Sequence, residues 1–100
     1  MSKNKAKYEV LFIVNPALDE KEENGVAAMV ERFRSFIEQN GEILETDDWG
    51  GRKLAYPIDD RNEGYYYIVR FTAEPEFPLE LERNFNITEG IMRYLVLKMV

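Results

Sequence analysis

The stretch that constrains this chain most is Trp49–Ile58, with the sequence WGGRKLAYPI. Its second half alternates apolar and other residues at the period-two spacing of a β-strand, on Leu54, Tyr56 and Ile58. Pro57 cannot donate a backbone hydrogen bond to a neighbouring strand, so it is confined to the edge of a sheet or to its irregularities. Trp49–Ile58 therefore predicts an edge strand.

Glycines and cations open this stretch. Gly50-Gly51 predicts a bulge or bend, because glycine inside a strand commonly marks such a feature. Arg52-Lys53 follows and lies among acids, with Asp47-Asp48 before it and Asp59-Asp60 after it. Two interpretations of the cations stay open: a clamp for phosphate, which the glycines would let approach closely, or a solvated pair that offsets the nearby acids. The acid pairs themselves are typical of solvated turns.

Before this stretch, the pattern predicts one strand and one long helix. An apolar run rich in β-branched and aromatic residues predicts a strand at Lys7–Asn15 that is covered on both faces. Apolar residues at intervals of three and four then predict an amphipathic helix that begins at Asp19, with Glu22 completing a capping pair, and ends at Asn40-Gly41. Its apolar stripe consists of Val26, Met29, Val30, Phe33, Phe36 and Ile37.

The rest of the chain predicts a hairpin, a short helix and a last strand. The strand from Glu42 to Ile58 is followed by a polar loop, Asp59–Gly64, and a third strand, Tyr65–Thr72. A second helix opens after Pro75, since proline is tolerated in a first turn. Ile91–Val100 is the final strand.

The order strand, helix, strand, strand, helix, strand predicts an α+β fold, the ferredoxin-like split β-α-β sandwich. In that fold a four-stranded antiparallel sheet carries both helices on one face. The 100 residues then form a single domain, with residues 1–7 as a flexible amino-terminal arm.

The fold leaves the second sheet face without helices. The first, third and last strands nevertheless carry apolar residues at alternate positions on both of their faces. An apolar face without a cover indicates association, either with another copy of the chain or with a dedicated partner. The residues predicted to dock a partner are Leu11, Ile13, Tyr66, Ile68, Leu95 and Leu97.

The absence of two residue types narrows the chemistry. The chain has neither cysteine nor histidine, which excludes disulfides, thiolate nucleophiles and imidazole bases and removes the usual zinc ligands. The sequence contains no nucleophile beside a base, no phosphate-binding loop and no ligand set. We therefore predict no catalytic residue, no metal and no cofactor.

Charge argues in two directions. The net charge of -6 disfavours a nucleic-acid binder, because neutralisation of phosphates dominates such affinity. The distribution of the charged residues matters more than the net charge, however. If the cations lie together at one end of the sheet, they form a local basic patch. The cations near strands or the amino terminus are Lys3, Lys5, Lys7, Arg52, Lys53, Arg93 and Lys98.

Nothing in the sequence indicates a membrane or secreted protein. No apolar run approaches the roughly 18 residues of a membrane-spanning helix. The polar start, Met1–Lys7, is followed by too short an apolar run for a signal peptide and lacks its cleavage site. We expect a cytoplasmic protein.

The aromatic strand Gly64–Phe71 partly matches the first consensus of the RNA-recognition motif, in which aromatic side chains stack on bases. Three positions depart from it: Glu63 replaces a cation, Tyr66 a small residue and Arg70 the final aromatic. Core packing is therefore the favoured interpretation of this strand.

Short motifs spread along the chain match one known family. They are Tyr8-Glu9-Val10, Asn15-Pro16, Leu18-Asp19, Trp49-Gly50, Arg52-Lys53-Leu54-Ala55-Tyr56-Pro57-Ile58, Gly64-Tyr65-Tyr66, Leu81-Glu82-Arg83, Arg93 and Lys98. On these residues the chain from about Tyr8 to Lys98 resembles the bacterial small-subunit ribosomal protein S6 family. The resemblance implies the ferredoxin-like fold and a non-enzymatic role in the small ribosomal subunit. It also implies that the chain binds the central domain of the small-subunit ribosomal RNA as a heterodimer with ribosomal protein S18.

The resemblance implies RNA-binding cations as well. By position they are Lys7, Arg52, Lys53, Arg83 and Arg93. Gly51, Asn86 and Met92 stand where relatives often carry cations, which implies a weaker direct contribution to RNA binding here. The alternative function is a self-associating ferredoxin-like domain that binds a small molecule or is an enzyme.

Overall fold

The apolar run near the amino terminus forms the strand around which the sheet is built. In the computed structural model, which describes residues 5–58 and 61–99, β1 (Ala6–Val14) pairs with β3 (Arg61–Ala73) on one side and β4 (Ile91–Lys98) on the other. The strand β2 (Gly41–Ile58) pairs with β3 at the edge of the sheet. All pairs are antiparallel and the strand order is β2-β3-β1-β4. The predicted four-stranded ferredoxin-like sheet is confirmed.

The edge strand β2 has the predicted position and the predicted bulge. Its ladder with β3 shifts between Asp48 and Gly50, so Trp49 is the extra, bulged residue. Gly50 has a φ of 72°, a left-handed conformation that glycine adopts at no steric cost. The bulge therefore follows from the glycine pair that the sequence places there.

The hairpin tip is shorter than predicted. Residues 61–64 belong to β3, since Arg52 pairs with Gly64 and Ile58 with Arg61. The predicted polar loop was wrong over those residues, because continued pairing with β2 carries polar residues into the ladder. Asp59 and Asp60 lie outside the described residues.

Two helices replace the single long helix predicted between β1 and β2. They are α1 (Leu18–Lys21) and α2 (Gly25–Asn40), separated by Asn24 at a φ of 58°. The predicted helix start at Asp19 was wrong, because the left-handed residue interrupts the helix. Asp19 still caps a helix from a distance: its Oδ1 atom accepts a hydrogen bond of 2.9 Å from the Val26 amide at the start of α2.

The third helix, α3 (Phe77–Asn86), connects β3 to β4 and packs with α2 on the same sheet face. The core between them centres on Phe12 of β1. Its ring centroid lies 5.8 Å from that of Phe33 and 5.3 Å from that of Phe85. Aromatic residues contribute most to such cores, because each buries a large apolar surface. The fully buried large side chains are Phe12, Phe33, Phe71, Phe85, Ile37, Leu81, Val10, Val14 and Val69.

The predicted arm at the amino terminus belongs partly to the sheet. Ala6 and Lys7 pair with Ala73 and Thr72 of β3, so the prediction that they are flexible was wrong; the partner strand is long enough to extend the ladder to them. Residues 1–4, including Lys3, lie outside the described residues, as does Val100.

Candidate interaction surface

The sheet face opposite the helices, here called the open face, collects all six predicted docking residues. In the ladder, Leu11 lies between Ile68 and Leu95, while Ile13 lies next to Tyr66. Directly paired residues point to the same side of a sheet. No helix of the described part of the chain covers this side, since the residues packed against α2 and α3 have the opposite parity in each strand.

The six residues differ in accessibility. Leu95 and Leu97 on the edge strand β4 are 52% and 47% exposed. Leu11 and Tyr66 are half-buried, whereas Ile13 and Ile68 are buried. The open face is thus an apolar surface whose most exposed leucines lie on the edge strand β4.

A charged group interrupts this apolar surface. Arg70 of β3 donates a hydrogen bond of 2.8 Å to Glu9 of β1 and lies 3.3 Å from a carboxylate oxygen of Glu45 of β2. The hydrogen bond to Glu9 raises the pKa of Arg70. Glu9 also pairs with Leu97 in the ladder. A docking partner must therefore satisfy a fixed ionic group beside the exposed leucines.

A layered aromatic–cation cluster lies at the β2 bulge. The bulged Trp49 is 41% exposed, and its ring is stacked on Tyr66 at 6.2 Å between centroids and 15° between planes. The Arg52 guanidinium carbon lies 5.0 Å from the centroid of the Trp49 ring, and Arg52 Nε donates a hydrogen bond of 3.3 Å to the Trp49 carbonyl. These three residues are called the Trp49 stack below.

Asp48 holds the bulge in place. One of its carboxylate oxygens accepts a hydrogen bond of 3.0 Å from the Gly50 amide, and the Tyr65 hydroxyl donates a bond of 2.6 Å to the same carboxylate. That hydrogen bond, together with desolvation and the negative charge of Asp48, raises the pKa of Tyr65 to about 12. The bonds from the Gly50 amide and the Tyr65 hydroxyl to Asp48 fix the backbone that carries the Trp49 stack.

The structure brings together only some of the cations predicted to bind RNA. Arg93 pairs with Ile13, which pairs with Tyr66, which in turn pairs with Gly50. Arg93 therefore lies at the same end of the sheet as Arg52 and Lys53, but on β4, three strand spacings or about 14 Å from β2. Lys53 pairs with Glu63 and so points to the face opposite Arg52. Within the described part of the chain, these three cations form no ion pair.

The other two predicted cations lie elsewhere. Lys7 is at the far end of β1, six positions from the partner of Arg93, or about 20 Å along a strand. Arg83 is on α3 in the helix layer, where it forms an ion pair of 2.9 Å with Glu80. The predicted RNA-binding set is thus divided into three cations spread across one end of the sheet and two separate positions.

Sequence reasoning did not assign Trp49 a place in any site. Its stacking depends on the bulge, which brings the indole over a residue of the neighbouring strand. The available signal was an aromatic residue directly before Gly-Gly-Arg, where a bulge re-aims a side chain. Neither a membrane-spanning helix nor a group of three metal-binding side chains occurs among residues 5–58 and 61–99.

Comparison with known proteins gives a consistent result. The family model described as Ribosomal protein S6 matches residues 7–98. The small ribosomal subunit protein bS6 of Clostridium novyi is 53% identical over 90 residues, which cover 89% of this chain and 92% of that protein. The bS6 protein of Caldanaerobacter subterraneus is 45% identical over 92 residues, covering 91% and 94%.

A solved structure extends the similarity to the fold. The crystal structure of 30S ribosomal protein S6 from Thermotoga maritima superposes with a TM-score of 0.85 at 32% sequence identity. The match covers 96% of this chain and 89% of that chain. Sequence and fold therefore agree over nearly the whole length.

Proposed function

Because this chain belongs to the ribosomal protein S6 family, we propose that it acts by binding the central domain of the small-subunit ribosomal RNA jointly with ribosomal protein S18. In this role it is a structural, non-enzymatic constituent of the small subunit and works in the cytoplasm, where it needs no cofactor. The observation that carries the proposal is the open face, which combines exposed leucines on β4 with Arg52 and Arg93 at one end of the sheet, neither of them in an ion pair with another described residue.

The exposed leucines support docking of a protein partner. Leu95 and Leu97 lie beside the half-buried Leu11 and expose about half of their surfaces to solvent. Burying apolar surface contributes roughly 25 cal/mol per Å², so covering this patch favours association. The neighbouring Arg70–Glu9 pair gives the patch a fixed polar feature, which orients the partner.

A basic partner also explains how a chain with a negative net charge binds RNA. With a net charge of -6, the chain alone is repelled by phosphate at long range, and neutralisation of phosphates dominates RNA affinity. A small basic protein supplies most of the cations. This chain then contributes an apolar docking surface and the cations at the bulged end of its sheet.

The positions of Arg52, Lys53 and Arg93 support direct RNA contact. These cations share one end of the sheet and form no ion pairs within the described residues, so their charges are available to phosphates. Arg83 is committed to Glu80 in the helix layer and contributes less. Phosphate contacts of this kind position a protein on RNA without reading its sequence.

Sedimentation of a bacterial extract that contains the tagged chain tests the function. We expect the chain to travel with small ribosomal subunits on a sucrose gradient. A variant with Arg52 and Lys53 replaced by Ala serves as the matched comparison and should be partly released as salt is raised. A chain that remains at the top of the gradient as a homodimer would contradict the proposal and favour a self-associating domain.

A further inference from the structure

The Trp49 stack has the geometry of a site for a flat ligand. Trp49 is exposed and lies outside the buried core cluster. Its ring is nearly parallel to that of Tyr66, and the Arg52 guanidinium lies over it. Three planar groups are thus layered at the surface of the open face, where nothing in the core requires them.

The backbone next to the stack is open. A Cβ atom added at Gly50 or Gly51 would meet no other atom within 4 Å. Glycines with free space around them let another chain approach the backbone closely. Arg52 points to the same face as Tyr66, whereas Lys53 pairs with Glu63 and points to the opposite face. Arg93 lies on β4, three strands away.

We propose that the Trp49 stack binds an unpaired nucleobase of a single-stranded RNA segment, with Arg52 contacting a flanking phosphate. Unpaired bases stack on aromatic side chains and on arginine planes, and this contact is tolerant of base identity. The inference rests on the proposed RNA-binding function. It adds a base contact to the phosphate contacts described above.

The arrangement of the open face favours RNA over a protein at this position. The exposed Leu95 lies on β4, three strands across the sheet from Gly50 and in the next pair of residues along it. Three strand spacings are about 14 Å. The apolar patch and the Trp49 stack therefore lie at opposite edges of the sheet, with Arg52 at the stack and Arg93 on the same strand as the exposed leucines.

Acids near the stack do not block the site. Asp48 is engaged by the Gly50 amide and the Tyr65 hydroxyl. Asp47 pairs with Ile68, on the side of Trp49 away from Arg52. Glu63 pairs with Lys53 and so points to the sheet face opposite Arg52.

The test measures affinity for a central-domain RNA fragment in the presence of S18. Trp49→Ala should weaken the ternary complex roughly 5- to 150-fold, the loss of one stacked base, and leave the salt dependence unchanged. Trp49→Phe should retain most of the affinity, because a phenyl ring also stacks. Tyr56→Ala changes a more exposed aromatic residue of the same strand and should have no effect.

A direct spectroscopic readout is available because Trp49 is the only tryptophan of the chain. The emission difference between the wild-type chain and Trp49→Phe isolates its signal, which should be quenched when RNA is added to the chain–S18 pair. It should not be quenched when S18 alone is added.

Three outcomes separate the possibilities. If the wild-type ternary complex forms and Trp49→Ala binds RNA as tightly, the base contact is refuted and the proposed function stands. If Trp49→Ala weakens the pairing with S18 in the absence of RNA, the stack is a protein contact, which also overturns the inference. If the wild-type pair does not bind the RNA, the proposed function itself fails.

Discussion

Replacing the two exposed leucines of β4 by alanine tests whether the open face docks a partner. Leu95 and Leu97 are 52% and 47% exposed, so about half of each side chain remains for a partner to cover. Full burial of a leucine contributes about 1.5–3 kcal/mol. Covering the exposed half is then worth about 1 kcal/mol for each residue, and the pair together about 2 kcal/mol.

For the double variant Leu95→Ala/Leu97→Ala, we therefore expect the Kd for S18 to rise roughly 30-fold. Titration calorimetry of S18 into the chain, without RNA, measures it. The buried half of each side chain also contributes to the stability of the fold. The Tm of the double variant should therefore fall by a few degrees, and the chain should stay folded at the temperature of the assay.

Leu79→Ala is the matched control. Leu79 is 68% exposed, but it lies on α3, in the helix layer. Its truncation should leave the S18 affinity within about twofold, since surface substitutions away from an interface change little. Equal affinity of the double variant and the wild-type chain would refute a docking role for the β4 edge. Equal loss in Leu79→Ala would show that the effect is not specific to the open face.

Three further predictions concern the RNA cations, a helix cap and a titrating hydroxyl. Arg52→Ala with Lys53→Ala should reduce the salt slope of ternary-complex affinity by about 1–2 units; an unchanged slope would mean that the pair only offsets nearby acids. Asp19→Ala should lower the free energy of unfolding by about 1 kcal/mol, the value of a helix cap, in urea denaturation, whereas no loss would show that the cap is dispensable. The pKa of Tyr65 rises from 10.0 to about 12 in the fold, so its stabilising contribution is complete below pH 10 and is lost as pH rises toward 12. Accordingly, the stability difference between the wild-type chain and Tyr65→Phe should shrink over that interval, and a constant difference would contradict the hydrogen bond to Asp48.

The order of elements was predictable because the main patterns are local. Period-two alternation around Trp49–Ile58 predicts a strand, and Pro57 with Gly50-Gly51 predicts its edge position and its bend. The stripe from Val26 to Ile37 predicts a helix, and the helix is present with Val26, Phe33 and Ile37 buried. Each of these features depends on residues close in sequence.

The misplaced boundaries depend on pairing and on single backbone angles. Residues 61–64 are polar, yet they extend β3 because β2 continues opposite them. Asn24 adopts a left-handed conformation that splits the predicted helix, and asparagine tolerates this conformation without requiring it. The capping bond from Asp19 crosses that break, seven residues along the chain. The start of β3, the break at Asn24 and the capping bond from Asp19 could therefore not be predicted from local sequence patterns.

The sequence predicted individual residues of the candidate site but not their arrangement. Parity within strands placed Leu95 and Leu97 on one face, and the structure adds which residues of that face are exposed. The position of Arg52 and Arg93 at the same end of the sheet depends on the register across four strands. The stacking of Trp49 on Tyr66 requires the bulge as well. Register and bulges are set by the folded sheet, so the sequence alone did not assemble this cluster.

The most direct test of joint RNA binding is one titration of a central-domain RNA fragment with this chain, with S18, and with an equimolar mixture of both. The open face and the net charge of -6 predict that the chain alone binds feebly and that the mixture binds far more tightly than either protein. Tight binding by the chain alone, unchanged on addition of S18, would contradict the account.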